Sequence, residues 1–79
     1  MTDTNKLKQI LIGKGLTQSK AAQLIGISPQ SFNMKINNKR EFTVKEINAM
    51  TALFNINDPF VIFFASNVDL KSTKLKEEN

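Results

Sequence analysis

The chain has 79 residues, 41% hydrophobic and 23% charged, with a formal net charge of +4. That length allows one small domain with one core, and the composition is that of a folding chain rather than a disordered one. It has no cysteine, histidine or tyrosine, which excludes disulfides and the common zinc sites and leaves catalysis to scattered carboxylates, lysines and hydroxyls; no enzyme, metal or cofactor is expected.

The polar start MTDTNKLKQ does not read as a signal peptide, and no apolar run approaches the roughly 20 residues that span a bilayer. A cytoplasmic protein with no membrane partner is expected. Asp3, Thr4 and Asn5 offer an N-cap to a first helix with Leu7, Ile10 and Leu11 on one stripe, and Gly15 stands where a left-handed C-cap belongs. Thr17 caps a second helix, QSKAAQLIG, in which Ala21, Ala22, Leu24 and Ile25 form the packing face and Gly26 is the stop. Ser28 and Pro29 then start a third, running to about Asn37, since serine caps the orphan amides and proline at the first position loses no helical hydrogen bond.

Thr43, Val44, Lys45 and Glu46 have the spacing of a capping box. They open a fourth helix expected to carry Val44, Ile47, Met50, Leu53 and Phe54 inward. Asp58 and Pro59 repeat the cap-plus-proline device before FVIFF, residues 60–64, read as a fifth helix or turn. The expected architecture is therefore all-α, a compact five-helix domain over residues 1–65. In the extension, residues 66–79, Val68 and Leu70 alternate with polar residues, which allows a short strand paired with another chain or else a disordered tail. FVIFF is too apolar for one face of a terminal helix. Phe63 and Phe64, with Val68 and Leu70, are the candidate dimer surface.

Charge is unevenly placed. Residues 4–45 hold eight cations (Lys6, Lys8, Lys14, Lys20, Lys35, Lys39, Arg40, Lys45) against one anion, Glu41, a local charge of +7, and the remainder carries −3. A basic footprint confined to one part of the chain fits a polyanionic partner. Within it, a helix capped at Thr17, a turn of about three residues and a helix capped at Ser28 have the layout of a helix-turn-helix, whose second helix enters the DNA major groove. On a wheel of about 100° per residue with Phe32 at 0°, Ile36 falls near 40° and Pro29 near 60°, so the apolar direction is near 30°. Gln30, Ser31, Met34 and Asn37 then face away from the core, with Asn33 and Lys35 beside them.

The chain resembles the helix-turn-helix domains of the lambdoid phage repressor and Cro class. The resemblance covers residues 7–56. It is carried by Leu16-Thr17-Gln18, Ala21-Ala22, Leu24-Ile25-Gly26-Ile27-Ser28 at the turn, and Asn37-Asn38-Lys39-Arg40 after the third helix. It looks particularly like small regulators of phages and prophages of Gram-positive bacteria. The resemblance implies a sequence-specific regulator of transcription that binds double-stranded operator DNA as a homodimer, represses by occupancy and takes no small-molecule ligand. Gln18 matches the glutamine that in this class contacts a phosphate and braces the recognition helix. Base-reading candidates are Ser28, Gln30, Ser31, Asn33 and Met34, and backbone candidates are Gln18, Lys35, Asn37, Lys39 and Arg40. One departure is that Phe32 and Ile36 are four apart, where the family pattern has apolar positions three apart. A host helix-turn-helix regulator such as an antitoxin, and an interaction module that lost DNA binding, are the alternatives.

Overall fold

The computed structural model describes residues 1–65. Val68, Leu70 and the strand reading of residues 66–79 lie outside the described residues. Among the described residues five helices follow in chain order: α1 (Thr4–Gly13), α2 (Gln18–Ile25), α3 (Pro29–Ile36), α4 (Val44–Leu53) and α5 (Pro59–Phe63). The architecture of the described residues is all-α, as expected.

Side-chain caps start four of them. Asp3, Thr17 and Ser28 each accept from the amide three residues on, at 3.1, 3.1 and 3.0 Å. At α4 both halves of the capping box are present: Thr43 Oγ1 accepts from Glu46 N–H at 3.1 Å, and Glu46 Oε1 accepts from Thr43 N–H at 3.0 Å. Asp58 is the exception. It makes no side-chain cap bond, and α5 starts on Pro59 alone, whose fixed φ suits a first helical position.

The C-terminal ends of α1 to α4 share one device. Gly15, Gly26, Asn38 and Asn55 have φ of 70°, 83°, 63° and 55°. The next residue's amide then bonds the carbonyl five back: Leu16 to Leu11, Ile27 to Ala22, Lys39 to Met34 and Ile56 to Thr51, at 2.8–3.0 Å. Such a left-handed turn satisfies carbonyls the helix leaves open, and the residue after it commonly makes an apolar contact back to the last turn. Leu16, Ile27 and Ile56 follow that habit and pack on or within the core. Lys39, after α3, does not.

Leu7 and Leu11 of α1, Ala21 and Ala22 of α2, Phe32 and Ile36 of α3, and Met50 of α4 meet in one core with Phe42, Phe54, Ile56, Ile62 and Phe63. The alanines let α2 lie close to α3, and these two helices share the most extensive helix–helix contact. Phe42, in the loop before α4, joins two edge-to-face pairs, with Phe32 at 5.6 Å and Phe63 at 5.7 Å between ring centroids. That geometry adds to simple burial, and it ties the α3–α4 loop to the last helix.

Several apolar expectations change. Val44 is 71% exposed and Leu53 54%, and Leu24 is also exposed. α4 is apolar around more of its circumference than this small core can cover, so only the row of Ile47, Met50 and Phe54 turns in. Phe63, expected at a dimer surface, is 3% exposed and fills the core instead. Phe64 remains exposed and stacks on Phe60 at 5.5 Å.

Candidate nucleic-acid interface

The turn between α2 and α3 is residues 26–28, short because Gly26 ends one helix in the left-handed region and Ser28 caps the next. Phe32 and Ile36 are fully buried, as the apolar spacing requires. The rest of α3 departs from the wheel. Lys35 is 6% exposed, Ser31 and Met34 are half-buried, and Pro29 is exposed. The buried side runs from Lys35 through Phe32 to Ile36, centred near 350° rather than 30°, a roll of roughly 40°. The outward face is consequently Pro29, Gln30, Asn33 and Asn37.

Lys35 is the main correction among the expected site residues. Its ammonium donates to Glu46 Oε1 at 2.8 Å and Oε2 at 2.9 Å, under the helix rather than beside a groove. Burying a lysine this deeply requires a carboxylate partner, and Glu46 is held ready by the capping box. Burial pushes the Glu46 carboxyl up; the hydrogen bonds from Lys35 and Thr43, with the Lys35 charge, outweigh it and hold the group below its ordinary 4.5.

Gln18, at the first position of α2, accepts from Asn33 Nδ2 at 3.3 Å. The two helices of the motif are thus linked by amides on their exposed side. Ser28 Oγ is engaged as the α3 cap. Asn37 Nδ2 returns to the Asn33 carbonyl at 2.9 Å. Gln30 is exposed. Beyond Asn37, Lys39 and Arg40 are exposed, as are Lys20 and Lys45. At the place where the other three helix ends put an apolar residue, this one presents a cation.

Sequence reasoning missed Asn38 and the N-terminal residues that hold it. Asn38 pairs with Thr2 through both amide atoms, Thr2 N–H to Oδ1 at 2.8 Å and Nδ2 to Thr2 C=O at 2.9 Å. Thr4 Oγ1 donates to the Ile36 carbonyl at 2.6 Å, and Asp3 N–H to the Ile62 carbonyl at 2.7 Å. Residues 2–4 therefore join the end of α3 to α5. Asparagine's tolerance of positive φ was a usable signal at position 38, but nothing local pointed to Thr2.

Among the described residues no group of acids could hold a metal ion, and no helix is long and apolar enough to cross a membrane. Neither a curated protein nor a solved structure matches the chain. The helix-turn-helix family is matched over residues 7–60, a span that holds α2, the tight turn, α3 and the loop with Lys39 and Arg40. On that match and this geometry the chain belongs to the helix-turn-helix family of Cro/repressor-like regulators, which bind double-stranded DNA.

Proposed function

We propose that the protein is a sequence-specific transcriptional regulator of the phage Cro or repressor type, acting on a two-fold operator by occupying it against polymerase. The observation that carries this reading is the outward amide face of α3. Gln30, Asn33 and Asn37 are exposed there, and amides present a donor and an acceptor to the edge of a base, adenine above all. Ser28, Ser31 and Met34 lie at the margins of that face and contribute contacts with nearby bases or sugars. Gln18, Lys39 and Arg40 take the phosphates, which orient α3 without reading sequence. Lys35 has no part in this contact set.

The working form is a homodimer, because a two-fold operator is read by two recognition helices one helical turn apart. Phe64, exposed and stacked on Phe60, supports an apolar self-contact at α5. Selecting duplexes from a random pool tests the whole reading. A two-fold motif bound with affinity that drops steeply as salt rises is the expected result, and a protein that ignores duplex DNA at low ionic strength would end the proposal.

A further inference from the structure

Two polar ties hold α3 from opposite flanks. Asn33 is bonded to Gln18 of α2, and Lys35 is paired with Glu46 of α4. On the wheel these two positions lie about 160° apart, so the ties resist rolling in opposite senses. The apolar side chains do not set the roll by themselves: Phe32 and Ile36 with Pro29 point near 30°, whereas the observed buried side points near 350°, displaced toward Lys35.

We infer that Lys35 is a positioning residue: its ion pair with Glu46 fixes the roll of α3 and so decides which side chains the helix presents to the groove. This rests on the DNA-reading function proposed above. With the pair formed, Gln30, Asn33 and Asn37 face outward while Ser31 and Met34 are half-buried. Without it, the apolar stripe favours a roll that turns Pro29 inward and Ser31 and Met34 outward. Glu46 suits the task because its Oε1 also accepts from Thr43 N–H, so α3 is fixed to a helix start whose geometry is already set. A buried ion pair adds little net stability compared with apolar packing, and its recognised use is to select one arrangement among several. An ammonium held beneath the helix also has no access to phosphate, so its influence falls on operator binding and leaves non-specific affinity for DNA unchanged.

The experiment compares the wild type with Lys35→Arg and the double variant Lys35→Met/Glu46→Gln. The double variant leaves no unpaired buried charge and keeps an oxygen for Thr43 N–H. Affinity is read by fluorescence anisotropy on the selected operator and on a scrambled duplex of equal length, over a salt series. The folded double variant should keep its scrambled-duplex affinity and salt slope. It should lose at least about fivefold in the operator-to-scrambled ratio, the worth of one good base contact. Lys35→Arg, able to pair with both carboxylate oxygens, should keep the ratio. If the double variant does not fold, Glu46→Gln alone weakens the pair and gives the same readout. An unchanged ratio overturns the inference, and so does an equal loss on both duplexes with a flatter salt slope, which would make Lys35 a phosphate contact. A wild type without preference for any duplex is a different failure, that of the proposed function itself, and shows before any variant is made.

Discussion

Asn38 and Thr2, separated by 36 residues, are joined by a reciprocal pair of hydrogen bonds in which one side-chain amide satisfies both the N–H and the C=O of a buried backbone unit. Asn38 is also the left-handed residue that ends the recognition helix, with φ of 63°. One side chain therefore stops α3 and anchors the start of the chain against it.

Replacing that side chain separates the two roles. Asn38→Ala removes the paired amide and leaves a residue with a Cβ at positive φ, and should destabilise the fold by about 2 kcal/mol. Asn38→Gly loses only the amide bonds and should cost less. Urea unfolding measures both, and equal costs would mean that the backbone conformation contributes nothing.

Gln30 is exposed on the outward face of α3. Gln30→Ala should weaken operator binding by about 1–3 kcal/mol and leave random-duplex binding nearly intact. Parallel titrations on the two duplexes decide it, and equal losses would contradict a base-reading role.

Arg40, exposed in the loop after α3, should behave in the opposite way. Arg40→Ala should weaken binding to every duplex and reduce the salt slope by about one. A slope that stays the same would return Arg40 to the solvent-facing charges.

Glu46 gives a pH dependence of known sign. Its folded-state carboxyl is held below its ordinary 4.5, so its contribution to stability is complete above that value and is lost as pH falls through the lower folded-state value. The urea midpoint should drop on acidification below about pH 4.5, and Glu46→Gln, which has no proton to gain, should drop less steeply. Coincident acid curves would show that the pair does not couple to folding.

The neighbouring phenylalanines at the end of α5, Phe63 as its last residue and Phe64 as its C-cap, should respond differently. Phe63 is 3% exposed and Phe64 36%. Phe63→Ala should cost about 3–5 kcal/mol of stability, whereas Phe64→Ala should leave folding nearly unchanged and lower the mass of the assembly seen by analytical ultracentrifugation. A Phe64→Ala protein that associates like the wild type would remove Phe64 from the dimer contact.

The sequence by itself determined the helix starts at Thr17, Ser28 and Thr43, narrowed the first start to residues 3–5, and determined the stops at Gly15 and Gly26, and hence the helix-turn-helix spacing. These features rest on bonds between residues three to five apart, so the residue types at those positions are enough to specify them. Phe32 and Ile36 were legible as buried for the same reason, since four-residue spacing places them on one side of any helix. Tertiary structure alone decided the roll of α3, the burial of Lys35, the inward turn of Phe63 and the partner of Asn38. Each depends on a group distant in the chain: Glu46 for Lys35, Phe42 for Phe63, Thr2 for Asn38. A charge pattern cannot tell a lysine that meets a phosphate from one that meets a carboxylate beneath its own helix, because that choice is made by which helix packs alongside.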